Sequence, residues 1–322
     1  GAGHFAVEAG IRTLVPPEGG LLIPMVGNYA ARMARLAREV GRRVVELPVS
    51  PVAPADAAAV GTALAADPTL SHVGFVYSET SSGIVHDVHA VGAAARGAGR
   101  RMLVDAVSAF GALPLDLSAQ PEIDAAVFTA NKCLEGVPGL AYVIARIDAL
   151  RGAEGRAGSW SLDLADIFLA GERDGWGGFR FTPPAQVLAA LRRALQLLAD
   201  EGGPPARLAR YRANARTLHE GMQAIGLTPY LASAVQGPIV VNVHAPADPA
   251  WSLENFVTAL KARGFLISNF YNTARPSFRV GCIGAITPDD MDRFVAAVDA
   301  ALQAMGVRDR GPDCQDRAAS SG

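Results

Sequence analysis

The sequence predicts an α/β fold in which a mostly parallel sheet is covered by helices on both faces, followed by a smaller α+β part. In the first half of the 322 residues, short apolar runs alternate with amphipathic helical stretches, which is typical of parallel sheets. Half of the residues are apolar and 19% are charged, so the chain can bury a large core. After about residue 183 the alternation stops and longer helices take over.

The first part of the chain contains six predicted strands, each a short apolar run. They are residues 21–26, 44–49, 72–78, 101–106, 123–130 and 140–145. Four stretches have the apolar period of a helix, and they are residues 5–15, 29–40, 54–66 and 88–96. Sheets of this kind bind ligands at the carboxyl ends of their strands.

The second part begins with two long helices that are separated by Gly202, Gly203, Pro204 and Pro205. The predicted helices are residues 184–199, 206–225, 253–263 and 288–305, and the predicted strands are residues 238–243, 265–268 and 277–282. We take the glycine–proline run as the domain boundary. This gives a large domain at 1–201, a small C-terminal domain at 205–306 and a polar tail at 307–322 that is expected to be disordered.

Charge and composition exclude several classes of protein. The net charge is −2, whereas nucleic-acid-binding proteins usually carry a basic excess. No apolar run has the roughly 18–20 residues that a membrane span needs. Three scattered cysteines and six histidines without a metal-binding spacing predict neither a disulfide framework nor a metal site. We therefore expect a soluble, cytoplasmic protein that binds small molecules.

Polar side chains follow three successive strands of the predicted sheet. Hydroxyl side chains occupy four of the five residues at 78–82, with Glu79 among them; Asp105 ends the next strand, and Lys132 follows the one after it. A loop of Gly1, Ala2 and Gly3 precedes the first helix, where backbone N–H groups can bind a phosphate. A lysine for a Schiff base, a carboxylate for a ring nitrogen and a phosphate loop together suit pyridoxal phosphate.

Several segments resemble the 2-aminoethylphosphonate–pyruvate aminotransferases, which are class V aminotransferases of fold type I. The most specific is the lysine motif TANKCLEGVPG at residues 129–139. The aspartate motif DAVSAFGALPLD at 105–116 is similar to that family as well. So are SETSSGI at 78–84, SLDL at 161–164, RFTPP at 180–184 and FRVGCIG at 278–284. The similarity extends from residue 1 to about residue 306.

The resemblance implies a role for each residue that matches a family motif. Lys132 would form the Schiff base with pyridoxal phosphate and later move the proton, and Asp105 would pair with the ring nitrogen. Gly3 and His4 would lie in the phosphate cup. Tyr29 would stack on the ring.

Three further roles are implied in the same way. Thr80 would contact the cofactor, and Thr182 would reach the cofactor phosphate of a neighbouring subunit, since such enzymes are homodimers with shared active sites. Arg279 would bind the carboxylate or phosphonate of the substrate, a task that suits a planar, permanently charged guanidinium. The implied reaction moves an amino group from 2-aminoethylphosphonate to pyruvate.

Alternatives remain open on the departures from the family pattern. His4 and the loop at 268–271 favour an alanine– or serine–glyoxylate type of aminotransferase. The family also has an N-terminal segment with a Pro-Gly-Pro turn that we expect to be missing here. That favours an inactive cofactor-binding paralogue or a truncated fragment. The arginines of the two long helices, at 192, 193, 207, 210 and 212, are expected on solvated helix faces.

Overall fold

The computed structural model describes residues 2–312, which divide into two units. The first unit contains residues 2–79 and 85–207, and the second contains residues 80–84 and 208–312. Within the described residues, no helix is long and apolar enough to cross a membrane.

Six strands form the central sheet of the first unit; the four inner strands are short apolar runs that can be covered on both faces. The six strands are β1 (Gly20–Met25), β2 (Arg43–Pro48), β3 (Leu70–Val76), β6 (Arg101–Asp105), β7 (Ile123–Thr129) and β8 (Ala141–Ala145). Their order across the sheet is β2-β1-β3-β6-β7-β8. The first five run parallel, and β8 pairs with β7 in the antiparallel sense. Two further short strands, β4 (Ser78–Glu79) and β5 (Ile84–Val85), lie outside this sheet.

Helices cover this sheet in two pairs. Helices α1 (Gly3–Leu14) and α2 (Asn28–Glu39) contact each other, and α1 packs against β7 while α2 packs against β1 and β2. Helices α3 (Ala57–Ala66) and α4 (Val88–Gly97) form the second pair and pack against β1, β3 and β6. The predicted sheet covered by helices is therefore confirmed.

Three helical segments between β8 and the first long helix were not predicted. They are α5 (Ile147–Arg151), a 3-10 turn at Trp160–Leu162 and α6 (Leu164–Arg173). The side chain of Asp163 caps α6 by accepting hydrogen bonds from the amides of Ala165 and Asp166. An aspartate before an apolar periodic stretch is a helix-start pattern, so α6 was predictable. The long helices follow as α7 (Ala185–Glu201) and α8 (Gly203–Ala224).

The second unit contains most of α8, together with β9 (Val240–His244), α9 (Leu253–Lys261), β10 (Ser277–Gly281) and α10 (Pro288–Met305). The two strands pair in the antiparallel sense, with Arg279 opposite Asn242. Their apolar faces join a core built from side chains such as Phe256, Phe278 and Val298.

The predicted strand at 265–268 is wrong, because the segment forms no strand. Phe265 and Ile267 pack partly against the core while Leu266 between them is 78% exposed. The alternation that predicts a strand is therefore present, but no neighbouring backbone pairs with this segment in a ladder.

The predicted tail is ordered at its start. Val307 is buried in the core of the second unit. The amides of Arg308 and Asp309 donate to Oδ2 of Asp248 at 2.8 and 2.9 Å. The rest of the predicted tail, residues 313–322, lies outside the described residues.

Candidate active site

A cavity of about 170 Å³ lies at the carboxyl ends of β6 and β7, within the first unit. Asp105 and Thr129, the last residues of these two strands, both line it. The pocket therefore lies at the carboxyl ends of the strands, where the sequence predicts a ligand site. The predicted site residues that line it are Gly3, His4, Tyr29, Asp105 and Lys132.

Asp105 carries a buried carboxyl group. Its Oδ1 accepts a 2.9 Å hydrogen bond from the amide of Val107. Burial is the largest effect on the pKa of Asp105 and raises it to about 6. The Glu79 carboxylate also raises this pKa. The hydrogen bond from Val107 and the positive charges of Arg32 and Lys132 lower the pKa. The carboxyl group at the end of β6 therefore lies in a buried position, where its ionised form is energetically unfavourable unless a cationic group binds beside it.

Lys132 lies in a tight loop directly after β7. Gly136 donates its amide hydrogen to the carbonyl of Ala130 at 2.7 Å, and Glu135 donates to the carbonyl of Lys132 at 2.9 Å. Glu135 adopts the left-handed conformation, with φ of 58°, which is uncommon for a residue with a side chain. These contacts close the loop and hold Lys132, which is half-buried, in the pocket wall.

The first turn of α1 forms another wall of the cavity. The helix begins at Gly3, and no side chain caps it at Ala2. A Cβ atom on Gly3 would lie 2.7 Å from Cγ2 of Val107 and 3.2 Å from Cγ2 of Thr129, so this close approach requires a glycine. The exposed His4 follows, with its ring 4.3 Å from that of Phe5. An uncapped helix N-terminus at a pocket favours an anionic group.

Tyr29 lies in the first turn of α2, after β1. Its amide donates to Oε2 of the buried Glu79 at 3.1 Å. The guanidinium of Arg32 lies 5.0 Å from the centre of the Tyr29 ring. Tyr29 therefore lies in the pocket wall, and the hydrogen bond to Glu79 joins its backbone to the end of β4.

Arg279 and Thr80 meet within the second unit. Nη1 of Arg279 donates to the carbonyl oxygen of Thr80 at 3.0 Å. No carboxylate among the described residues pairs with Arg279, so its remaining N–H groups stay available for an anion. The Thr80 hydroxyl oxygen is buried and has no hydrogen-bond partner in the described structure.

Thr182 is exposed and does not line the cavity. Phe179 and Phe181 beside it are exposed as well. The single chain therefore does not bring Thr182 together with the other predicted residues.

Sequence reasoning missed several residues of the pocket wall. The missed polar residues are Arg32, Thr129 and Asn131, and the missed apolar ones are Val7, Met33, Leu36 and Val107; Ala2, from the predicted phosphate loop, also lines the pocket. Thr129 could have been predicted from the sequence, because it ends the strand that precedes Lys132. Its hydroxyl is buried without a hydrogen-bond partner. A buried polar atom of this kind in a pocket wall points to a polar ligand.

Comparisons with known proteins identify the family to which the chain is similar. A family profile described as Aminotransferase class-V matches residues 1–279. The 2-aminoethylphosphonate–pyruvate transaminase of Burkholderia pseudomallei (strain K96243) is 46% identical over 307 residues, which are 95% of this chain and 82% of that protein.

Two solved structures share the fold. Pyridoxamine–pyruvate aminotransferase from Mesorhizobium loti has a TM-score of 0.85 at 26% identity, covering 96% of this chain and 79% of that one. Alanine–glyoxylate aminotransferase from Nostoc sp. has a TM-score of 0.84 at 25% identity, covering 94% and 80%. The predicted fold type I architecture is therefore confirmed, and the chain belongs to the class V aminotransferase family.

Proposed function

We propose that this protein is a pyridoxal phosphate-dependent aminotransferase that moves the amino group of 2-aminoethylphosphonate to pyruvate. The products are phosphonoacetaldehyde and L-alanine. The observation that supports this most is that Lys132 and Asp105 line one cavity, in a chain 46% identical to a transaminase named for these two substrates. An amine and a carboxylate at adjacent strand ends are the two groups that the cofactor chemistry requires.

Two unsatisfied groups in the pocket wall suit this cofactor. The Thr129 hydroxyl is buried without a partner, and the N-terminus of α1 has no side-chain cap. A phosphate and the polar substituents of a pyridine ring would satisfy groups of these kinds. When bound, pyridoxal phosphate supplies an aldehyde that amines attack and a ring that withdraws electrons from the neighbouring carbon.

Each residue then has a defined task. Nζ of Lys132 would hold the cofactor and, when an incoming amine has freed it, would serve as the base that accepts and returns the proton. Asp105 would keep the ring nitrogen protonated through a charge-assisted hydrogen bond. Tyr29 would cover the ring face, and Gly3 and His4 would contact the phosphate with the first turn of α1.

Arg279 would bind the acidic end of each substrate, a phosphonate in one half-reaction and a carboxylate in the other. Its bond to the Thr80 carbonyl uses one Nη and fixes the direction of the guanidinium. A planar group with free N–H donors can bind either anion in a bidentate manner. The buried Thr80 hydroxyl would contact the cofactor.

A homodimer with shared active sites is part of the proposal, and Thr182 would reach the cofactor phosphate of the partner subunit. The exposed position of Thr182, next to the exposed rings of Phe179 and Phe181, supports this. A location in the cytoplasm remains a prediction. Light scattering on the purified protein measures the oligomeric state.

A second candidate is an alanine– or serine–glyoxylate type of aminotransferase. His4 at the pocket wall and the similarity to the alanine–glyoxylate aminotransferase of Nostoc sp. favour it. The identity to that protein is 25%, against 46% to the Burkholderia transaminase, so we rank it second.

A panel of donors and acceptors tests the assignment. The cofactor-loaded enzyme is offered 2-aminoethylphosphonate, serine and pyridoxamine, each with pyruvate and with glyoxylate, and alanine with glyoxylate alone. We expect the highest kcat/KM for 2-aminoethylphosphonate with pyruvate, and parallel lines in double-reciprocal plots, because a covalent carrier alternates between two half-reactions. Preference for alanine or serine with glyoxylate would support the second candidate. Cofactor binding without turnover of any pair would indicate an inactive paralogue.

A further inference from the structure

Arg207 lies in the second turn of α8 and is only 1% exposed, so the predicted solvated position of this arginine is wrong. Long charged side chains are rarely buried to this extent unless they are paired. Its hydrogen bonds and ion pairs with described residues lie within the first unit. They lead to the loop that carries Lys132.

The guanidinium of Arg207 joins α8, the end of α7 and the lysine loop. Nη1 donates to the carbonyl oxygen of Cys133 at 2.8 Å. Nε and Nη2 both donate to Oε2 of Glu201, at 2.9 and 2.6 Å. Nη2 also lies 3.6 Å from Oε2 of Glu135. The Glu201 carboxylate fixes the plane of the guanidinium, and Nη1 is thereby directed at the residue next to Lys132.

The loop is fixed on the other side as well. Cys133 is fully buried, and Leu134 packs against Phe128 and Leu198. Lys132 therefore stands between the end of β7 and a peptide carbonyl whose position is set by Arg207. Movement of this carbonyl would move the backbone from which the lysine side chain extends.

Burying a guanidinium between two carboxylates contributes little net stability, since the loss of hydration offsets the attraction. The guanidinium forms hydrogen bonds in fixed directions, which an apolar side chain of similar length cannot do. We propose that Arg207 is a positioning residue that sets the backbone of Lys132 and, through it, the placement of the reactive amine. This inference rests on the proposed role of Lys132 and extends it to a residue that does not touch the reacting atoms.

The test compares Arg207→Met with Arg207→Lys and with a matched control, Arg42→Met. Arg42 also donates to backbone carbonyls of the first unit, those of Arg12, Val15, Val40 and Arg156. These lie at the far end of α1 from the cavity, which the first turn of that helix lines. Its loss should affect stability without affecting the lysine.

Two readouts separate position from stability. The first is the pH midpoint of the visible absorbance of the cofactor-loaded protein without substrate, which reports on the surroundings of the lysine nitrogen. The second is the division of the change in activity between kcat and KM. We expect Arg207→Met to shift the absorbance midpoint by at least half a pH unit and to lower kcat at least tenfold, with KM changed less than threefold, because misplaced groups lose reactivity rather than binding.

Arg207→Lys keeps the charge but loses the fork, so it should recover part of the absorbance shift. Arg42→Met should lower the melting temperature and leave the midpoint within 0.1 unit. An unchanged midpoint and kcat in Arg207→Met would overturn the inference. If Arg207→Met does not fold, Glu201→Gln replaces it as the decisive variant, since it loosens the plane of the guanidinium; an unchanged midpoint there also overturns the inference. The midpoint needs no substrate, so a failure of the proposed substrate assignment leaves this test intact.

Discussion

The amide of Val107 donates a 2.9 Å hydrogen bond to Oδ1 of Asp105, in the turn that directly follows β6. The bond fixes the carboxyl group at the edge of the sheet, where burial would otherwise make its charge unfavourable. One carboxyl group can therefore cap this turn and, in the proposed site, also pair with the ring nitrogen of the cofactor.

Asp105→Asn should have opposite effects on the empty and the loaded protein. Burial raises the pKa of Asp105 from 3.8 to about 6. In the unfolded chain the carboxyl ionises near its ordinary value, so the cofactor-free protein loses roughly 3 kcal/mol as the pH rises from about 4 through 6. Asparagine avoids this loss and should raise the melting temperature of the cofactor-free protein above pH 6 but not at pH 4.

The same variant should bind the cofactor more weakly at pH 8, because asparagine cannot balance a protonated ring nitrogen. Thermal unfolding with and without pyridoxal phosphate measures both effects. If Asp105→Asn changes the melting temperature of the cofactor-free protein equally at pH 4 and pH 8, the charge of Asp105 does not destabilise that protein.

Gly3→Ala should weaken cofactor binding. The new Cβ would lie 2.7 Å from Cγ2 of Val107, so the first turn of α1 or the Val107 side chain must shift, and both line the cavity. We expect the dissociation constant of pyridoxal phosphate to rise at least tenfold in a fluorescence titration. Gly97→Ala is the matched control, since a Cβ there meets nothing within 4 Å. It should leave binding unchanged and stabilise the protein by up to about 1 kcal/mol.

Thr129→Val should separate binding from stability. The Thr129 hydroxyl is buried without a partner, so its removal should leave the cofactor-free protein equally or more stable. If that hydroxyl binds the cofactor, the dissociation constant should rise about 5- to 30-fold. Thr129→Ser, which keeps the hydroxyl, should restore much of the affinity. Equal affinity of the valine and serine variants would remove Thr129 from the cofactor site.

Arg279→Ala should lower kcat/KM about 100-fold or more for 2-aminoethylphosphonate and for pyruvate alike, because both substrates would lose a bidentate charged contact. Arg279→Lys should recover only part, since lysine cannot form the fork. Arg263→Ala removes an exposed arginine of the same unit that contacts the carbonyl of Ala259, and it should have no effect. A loss for one substrate only would restrict Arg279 to that substrate.

Much of the fold could be predicted because its strands are short apolar runs bounded by polar or glycine residues. The predicted strands 72–78 and 101–106 correspond to Leu70–Val76 and Arg101–Asp105. Alternation alone was misleading at 265–268, since an extended segment packed on one face has the same pattern as a paired strand. Helix α8 begins at Gly203, ahead of Pro204 and Pro205, because prolines fit the first turn, where amide hydrogens have no helical partner.

The candidate site could be predicted where its residues lie at strand ends. Asp105 and Lys132 follow consecutive strands, and parallel strands bring their carboxyl ends to one edge. Arg207 could not be found in this way, since its partner Cys133 is 74 residues away in sequence. A helical period does not show which polar residue is buried against a distant loop.

The central claim, that Lys132 carries the cofactor, has a direct test, because the chain contains only two lysines, Lys132 and Lys261. The protein is loaded with pyridoxal phosphate, reduced with borohydride and digested, and the peptides are analysed by mass spectrometry. We predict the reduced cofactor on the peptide that contains Lys132, an unmodified Lys261, and no adduct in Lys132→Ala. An adduct on Lys261, or none on either lysine in a protein that holds the cofactor, would contradict the account.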